Sequence, residues 1–220
     1  MECVFCENAN GRIFQLADHE LDRTILENED WIVYPTLGAY VIGYVLVVLK
    51  RHKICTASCE KTELMSLKVI LSRIVQTFED RHSTTNTFVF EHGALKESRQ
   101  LACCINHAHI HIFPSNTDIY SAVVNQIPSH NEEFPDLEEC YEWIRKKQIG
   151  SYLLFGNMTL SRYCVVDTSI DVYSSQYLRQ LTYRLLVPDQ TRRGWDWRQY
   201  PYYQNMLDTI TMFRENGRRC

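Results

Sequence analysis

The sequence lacks an apolar segment long enough to cross a membrane. Its longest apolar run is Tyr40–Leu49, which is ten residues long and contains Gly43, whereas a membrane-spanning helix needs about 20 residues. The first residues, Met1–Cys3, have neither the basic flank nor the apolar core of an export signal. We therefore expect a cytoplasmic protein without a membrane partner.

The sequence also lacks an excess of positive charge. Lys and Arg number 23 against 27 Asp and Glu, which gives a net charge of −4. Because coating a nucleic acid requires clustered positive charge, this balance excludes an extended nucleic-acid surface, although one local phosphate pocket stays compatible with it. The chain of 220 residues is long enough to bury a core as one domain with an extension.

Cysteine, by contrast, is abundant, with nine residues. Without an export signal a disulfide framework is not expected, so we interpret most of these cysteines as small buried apolar residues. The pair Cys3-x-x-Cys6 is the exception, because this spacing is typical of metal ligands. Cys55 and Cys59 could act as rival ligands, but burial is the simpler interpretation.

Patterns along the chain predict six strands and three helices. The predicted strands are Trp31–Tyr34, Tyr40–Leu49, Thr87–Glu91 ending at Gly93, His107–Phe113 ending at Pro114, Tyr152–Phe155 and Tyr163–Val166. The predicted helices are Glu60–Asp80, residues 136–148 with Asp136 as N-cap, and Ser175–Leu186. Residues 129–135 read as a linker, and the aromatic-rich stretch 188–220 reads as a tail docked on the body.

Three histidines occupy every second position of one predicted strand, at His107, His109 and His111. On a strand, residues two apart lie on one face about 6.6 Å from each other, with Ala108 and Ile110 behind them. Three such imidazoles can bind zinc, or one can attack phosphorus while its neighbours orient it and bind oxygens. Three structural histidines are the remaining interpretation.

The segment 107–114, His-Ala-His-Ile-His-Ile-Phe-Pro, resembles the signature of the histidine triad (HIT) superfamily of nucleotide hydrolases and transferases. Residues 43–52 are similar to the family's glycine-led strand with its Lys/Arg-His turn, and residues 88–93 to the strand before the triad. The resemblance covers about residues 3–115. It implies an α+β fold, with an antiparallel sheet and a long helix in a catalytic domain over residues 1–127 and a C-terminal α+β extension over 128–220.

The resemblance also implies roles for the three histidines. His109 would attack the α-phosphorus of a nucleotide-like small molecule and form a nucleotidyl-histidine intermediate that water or another acceptor resolves. His111 would contact phosphate oxygens, and His107 would hold the geometry. Four positions depart from the family pattern. Tyr44 stands where a fourth histidine is frequent, and Cys104 where many members have a Ser or Thr that touches phosphate; Leu49 replaces a common proline, and Asn106 stands where an acid is frequent.

Zinc-bearing members of the family imply a metal site for this chain. Cys3 and Cys6 would be joined by His52 of the Lys/Arg-His turn and by His107, which makes a tetrahedral structural zinc site that pins the N-terminal segment to the triad strand. No organic cofactor is expected. Because relatives are often dimers, the resemblance leaves a homodimer open.

The second half of the chain carries weaker signals. It looks like the trailing region of longer bacterial HIT-like proteins, and Gln176 and Arg179 at the start of its helix could reach the distal group of the substrate. An exposed polar helix face is an equally good interpretation.

Three alternatives to a hydrolase with a histidine nucleophile stay open. The same triad with a non-water acceptor gives a nucleotidyltransferase or phosphorylase. A pocket without catalysis gives a nucleotide- or RNA-binding module. Histidines that all bind one catalytic metal give a metal-dependent hydrolase.

Overall fold

The computed structural model describes residues 3–7, 13–16, 19–82, 86–95, 106–127, 131–168, 173–174, 176–187 and 194–216. The helices are α1 (Val4–Glu7), α2 (Lys61–His82), α3 (Ile119–Val124), α4 (Leu137–Lys147), α5 (Tyr177–Leu186) and α6 (Tyr203–Asn216), with a 3-10 turn at Thr56–Ser58. The strands are β1 (Ile13–Leu16), β2 (His19–Asp22), β3 (Leu26–Glu27), β4 (Trp31–Pro35), β5 (Val45–Leu49), β6 (Asn86–Ala94), β7 (His109–Ser115), β8 (Asn131–Phe134), β9 (Ser151–Asn157) and β10 (Arg162–Asp167).

Eight of the strands form one antiparallel sheet in the order β3-β4-β5-β7-β6-β9-β10-β8, and β1 and β2 form a separate hairpin. The triad strand β7 lies between β5 and β6, with His109 opposite Val48 and His111 opposite Phe90. Strands from both sides of residue 127 belong to this sheet, because β6 pairs with β9. The boundary at residue 127 itself stays a prediction.

The two faces of the sheet bury different sets of side chains. One face packs Ala108, Ile110 and Ile112 against α2 and α4. The helix α2 presents an apolar stripe there, with five buried residues at three- and four-residue steps: Leu64, Leu67, Leu71, Ile74 and Phe78. The other face is aromatic and is covered in part by α3 and α5. The predicted α+β fold with an antiparallel sheet and one long helix is confirmed.

Two predicted strand boundaries are wrong for reasons visible in the sheet. The strand β7 continues through Pro114, which pairs with Thr87 of β6. On its other side β5 begins at Val45, opposite Ile112, so no neighbour there requires the N–H that proline lacks. The strand β6 likewise continues through Gly93 to Ala94 because β9 pairs with it as far as Ser151.

Two further segments differ from their predicted structure. Residues 40–44 are not part of a strand; Gly43 has φ +88°, and a Cβ there would lie 2.8 Å from the Pro114 ring, so the chain turns at this glycine. Residues 131–134 of the predicted linker form β8, an edge strand that pairs with β10. Its glutamates are exposed, which hides the apolar alternation by which a strand is usually recognised.

The C-terminal tail is docked, as predicted. The Gly38 N–H donates to the Pro201 carbonyl at 2.7 Å, and the Gly43 N–H donates to the Thr209 hydroxyl at 2.8 Å. Phe213 of α6 packs on Phe78 of α2 with ring centroids 5.9 Å apart. Among the described residues, none of the helices combines the length and the apolar character needed to cross a bilayer.

Candidate active site and metal centre

The strand β7 presents His109 and His111 on the aromatic face of the sheet. It begins at His109, so His107, where the strand was predicted to start, lies two residues before it. The alternating residues Ala108 and Ile110 are fully buried on the opposite face. The period of two along a strand therefore separates the imidazoles from the apolar residues that anchor them, as the sequence predicts.

His109 is held in one tautomer by the backbone. Its Nδ1–H donates to the His107 carbonyl at 2.6 Å, so a neutral ring carries its lone pair on Nε2. Burial lowers the pKa of His109, which keeps the ring neutral near pH 7. Nε2 has no hydrogen-bond partner within the part of the chain that the structure describes, so this nitrogen is available as a nucleophile.

His111 is fixed by two aromatic side chains. The Phe90 ring stacks on it with centroids 4.5 Å apart and an interplanar angle of 1°. The Tyr44 hydroxyl lies 2.9 Å from Nδ1 of His111. Burial lowers the pKa of His111 well below its usual value, and the neighbouring His109 and the positive charge of Arg179 add to this shift. The ring is therefore neutral near pH 7, and it is held by one stacking contact and one hydrogen bond.

Four side chains form a metal-binding cluster: Cys3, Cys6, His52 and His107 each offer one ligand atom, and these atoms lie within 4.8 Å of one another. The Cys3 Sγ and the Cys6 Sγ lie 3.3 and 3.6 Å from the His107 Nδ1, and the Cys6 Sγ lies 3.3 Å from the His52 Nδ1. Tetrahedral zinc, with bonds of about 2.3 Å to sulfur and about 2.0 Å to nitrogen, separates S and N by about 3.5 Å. The donor set and the spacing fit zinc.

Hydrogen bonds orient the two histidines of this cluster. The His107 Nε2–H donates to the Leu49 carbonyl at 2.6 Å, which leaves the Nδ1 lone pair for a metal, as is usual for ligating histidines. His52 is flanked by Arg51 and Lys53, which pair with Glu63 of α2 at 2.7 and 2.8 Å. Glu63 therefore fixes the turn that carries His52.

Phe5 connects the metal cluster to the triad. It lies between Cys3 and Cys6 in sequence, and its ring centroid is 5.4 Å from the His107 ring and 5.4 Å from the His109 ring. The side chain is buried. A metal that holds the two cysteines thus also holds this ring against the candidate nucleophile.

Of the three remaining residues that the sequence predicts to contact the substrate, the structure describes Arg179 and Gln176 but not Cys104. Arg179 is buried and donates to the Leu37, Gly38 and Trp195 carbonyls. These hydrogen bonds hold its guanidinium beside the Tyr44 side chain. Gln176 is half-buried at the N-cap of α5, where its side chain makes no capping hydrogen bond. Ser175, the predicted start of that helix, and Cys104 lie outside the described residues.

Sequence reasoning assigned no role to Glu91, which is buried in β6. Its carboxylate accepts hydrogen bonds from the Thr56 N–H at 2.8 Å and from the Tyr141 hydroxyl at 3.0 Å. Burial raises the pKa of Glu91, while these donors and the nearby His109 oppose that shift. The one sequence signal for a role of Glu91 is that it is a single acidic residue in an apolar strand. Its hydrogen-bond donors lie far from it in the chain, so the sequence does not reveal them.

The other described cysteines behave as small apolar residues. Cys55, Cys59, Cys140 and Cys164 are free and buried, and burial raises the pKa of the Cys164 thiol to about 12. Cys55 and Cys59 belong to the core under α2, not to the metal-binding cluster. Among the described residues that cluster takes His107 from the triad but neither His109 nor His111.

Comparison with known proteins returned solved structures alone. No family model and no curated protein matches the chain. A HIT family protein from Bacillus anthracis is 16% identical, with a TM-score of 0.41, over 57% of this chain and 97% of that one. A hypothetical histidine triad nucleotide-binding protein from Sulfolobus tokodaii is 20% identical, with a TM-score of 0.39, over 66% and 87%.

A third match is a Zn-bound histidine triad family protein from Mycobacterium smegmatis. It is 19% identical, with a TM-score of 0.38, over 52% of this chain and 75% of that one. Because these identities and TM-scores are low, the function is inferred from the residues and contacts of this chain itself. These three solved structures are histidine triad proteins, the family whose signature the sequence of β7 resembles.

Proposed function

We propose that this protein is a member of the histidine triad superfamily that hydrolyses a nucleotide-like substrate at its α-phosphate, with His109 as nucleophile. The observation that carries the proposal is the tautomer of His109. Its Nδ1–H is bound to the His107 carbonyl at 2.6 Å, so the lone pair is on the nitrogen that faces away from the backbone. The signature His-x-His-x-His on one strand supports the same role.

In the first step the Nε2 lone pair of His109 attacks the α-phosphorus. The Nε2–P bond forms, the bond from phosphorus to the leaving group breaks, and the leaving group departs with the bonding electron pair. His111, beside His109 with ring centroids 5.2 Å apart, binds a phosphate oxygen and stabilises the charge that develops there. A neutral imidazole suits this step because it is both a competent nucleophile and a fair leaving group.

In the second step water attacks the same phosphorus, the Nε2–P bond breaks, and the proton lost by the water passes to the departed leaving group or to solvent. The products are a nucleoside monophosphate and free His109, so the ring ends as it began. Splitting one displacement into two lets the same residue serve both halves of the reaction.

The metal-binding cluster has a structural role in this proposal. Zinc bound by Cys3, Cys6, His52 and His107 would have all four positions filled by protein, as in structural sites. It would fasten α1 to the start of β7, while the chemistry stays with His109 and His111.

A turnover panel tests the proposal. Adenosine phosphoramidate, dinucleoside polyphosphates, nucleotide sugars and nucleoside diphosphates are incubated with wild type and with His109→Ala, and nucleoside monophosphate release is followed. We expect release by wild type, loss of at least about 1000-fold in the variant, and a nucleotidyl adduct on the His109 peptide after acid-free quenching.

Three results would redirect the assignment. Release that requires added phosphate or another acceptor indicates a transferase or phosphorylase. Binding without turnover of any substrate, equal in wild type and variant, indicates a binding module. Activity that disappears when a chelator is added to folded protein indicates a catalytic metal.

A further inference from the structure

The hydroxyl of a tyrosine orients His111, and this tyrosine lies outside the triad strand β7. Tyr44 immediately precedes β5, and its oxygen lies 2.9 Å from the Nδ1 of His111. Since Phe90 stacks flat on the ring, a flip of the imidazole that would exchange its two nitrogens is hindered, and Nδ1 stays opposite the Tyr44 hydroxyl. The identity of the atom that carries the His111 proton therefore depends on the Tyr44 hydroxyl.

The direction of the hydrogen bond follows from what stands behind Tyr44. Arg179 is buried, and its Nη1 lies 3.5 Å from the Tyr44 oxygen. A guanidinium has no lone pair to offer and stays protonated, so at this contact it donates and the Tyr44 oxygen accepts. The Tyr44 hydroxyl then faces two acceptors, the Nδ1 of His111 at 2.9 Å and the oxygen of Tyr40. Donation to His111 is the arrangement that leaves an N–H on Nε2 for a phosphate oxygen.

The neighbouring tyrosine cannot replace Tyr44 as this donor. The Tyr40 hydroxyl lies 2.6 Å from the Thr182 hydroxyl, which itself donates to the Leu178 carbonyl at 2.7 Å. The Thr182 oxygen therefore accepts, and the proton of Tyr40 is used there. Tyr40 and Tyr44 are adjacent rings, with centroids 5.1 Å apart, and the Tyr40 oxygen is the second acceptor within reach of the Tyr44 hydroxyl.

The guanidinium of Arg179 is fixed tightly enough to act in this way. Its Nε donates to the Trp195 carbonyl at 2.7 Å, and its Nη2 donates to the Leu37 carbonyl at 3.1 Å and to the Gly38 carbonyl. Its charge also lies over the Tyr44 ring, 5.3 Å from the centroid, an arrangement that stabilises a cation. Arg179 and Trp195 belong to the C-terminal part of the chain. Through Tyr44, this part of the chain is therefore linked to the triad strand.

Resting on the proposed function, we propose that Arg179, acting through Tyr44, holds His111 as the neutral tautomer with its proton on Nε2, so that this N–H donates to an oxygen of the substrate phosphate. His109 and His111 then have opposite tautomers. His109 gives its Nδ1–H to the backbone and attacks with Nε2, whereas His111 accepts at Nδ1 and donates from Nε2. Arg179 and Tyr44 are positioning residues, and the C-terminal segment completes the site.

Nitrogen-15 NMR of histidine-labelled protein reads the tautomer directly, without turnover. In zinc-loaded wild type we expect His111, assigned by its absence in His111→Gln, to show an unprotonated Nδ1 and a protonated Nε2. In Tyr44→Phe, which removes one oxygen and keeps the ring, we expect a mixture of tautomers or reversal. Tyr40→Phe is the matched control, because its proton goes to Thr182, and it should leave the His111 signals unchanged.

Turnover of the substrate found in the panel gives the second reading. We expect kcat of Tyr44→Phe to fall about 100-fold, the lower end of the effect of a positioned proton donor, with a smaller change in KM. Arg179→Lys keeps the charge but loses the fork that holds three carbonyls, so it should shift the tautomer in the same direction as Tyr44→Phe. Circular dichroism and thermal unfolding identify any variant that fails to fold.

The outcomes separate this inference from the proposed function. A wild-type His111 with its proton on Nδ1, or a Tyr44→Phe spectrum and kcat equal to wild type, overturns the relay while leaving hydrolysis by His109 intact. Expected tautomers without turnover of any panel substrate overturn the proposed function, and with it the donor role of His111.

Discussion

Loss of one zinc ligand should remove a large, metal-dependent part of the stability. The perturbation is Cys6→Ala. The Cys6 side chain is exposed, so truncation by itself should change the stability of metal-free protein by no more than about 0.5 kcal/mol. Its Sγ nevertheless lies 3.3 and 3.6 Å from ligand nitrogens of His52 and His107, so the variant removes one corner of the predicted tetrahedron.

The magnitude follows from mass action on the folded state. Zinc at 100 times its Kd stabilises the folded form by about 2.7 kcal/mol. For a chain of this size 1 kcal/mol moves Tm by about 2–4 °C, so zinc should raise the Tm of wild type by about 5–11 °C. A comparable part of the free energy of unfolding, about 1.5–3 kcal/mol, resides in Phe5, which the metal holds against the sheet.

The assay is thermal unfolding with and without chelator, together with zinc content per chain. Wild type should bind one zinc and show the shift, and in Cys6→Ala the shift should fall toward zero. Cys55→Ala is the matched control, since Cys55 is buried in the core near His52 but outside the cluster. Its baseline Tm will drop, yet its zinc-dependent shift should match wild type.

Two results would refute the reasoning. A full zinc-dependent shift in Cys6→Ala would show that the four side chains do not act as one site. Loss of the shift in Cys55→Ala, with Cys6→Ala unaffected, would move the metal to the rival cysteines.

Three further predictions concern residues around the site. Phe5→Ala should lower the free energy of unfolding of zinc-loaded protein by about 1.5–3 kcal/mol and speed modification of His109 by diethyl pyrocarbonate; an unchanged modification rate would show that this ring does not cover the histidine. Burial by itself raises the pKa of Glu63, but hydrogen bonds from Lys53, the Glu60 N–H and Arg51 outweigh it and lower the pKa. The carboxylate of Glu63 therefore stabilises the fold above its ordinary pKa, and this contribution is lost as pH falls through the lowered value; in urea titrations the difference between wild type and Glu63→Gln should be about 2 kcal/mol at pH 7 and should vanish in acid, so a constant difference would contradict it. The carboxylate of Glu91 accepts hydrogen bonds from two donors, and in Glu91→Gln the amide N–H₂ faces one of them. The free energy of unfolding should therefore fall by about 1–3 kcal/mol, and a Tm equal to wild type would argue against this role.

The sequence alone was sufficient wherever a local periodicity carried the information. The alternation of histidine with Ala108, Ile110 and Ile112 predicts a strand with imidazoles on one face, and the three- and four-residue steps of α2 predict its buried stripe. Both periods are properties of the backbone geometry, so no tertiary contact is needed to read them. The metal-binding cluster was also within reach, since the resemblance implied the same four residues that the fold brings together.

Tertiary structure decided what depends on partners far apart in the chain. The strand β8 forms because β10 offers it an edge, and nothing in its exposed glutamates announces this. Arg179 reads as an exposed residue at a helix start, yet it is buried where the Leu37, Gly38 and Trp195 carbonyls converge. The tautomers of the two histidines are likewise outside the reach of sequence, because each is set by one hydrogen bond, from His109 to its own strand and from Tyr44 to His111, whose geometry exists once the sheet has formed.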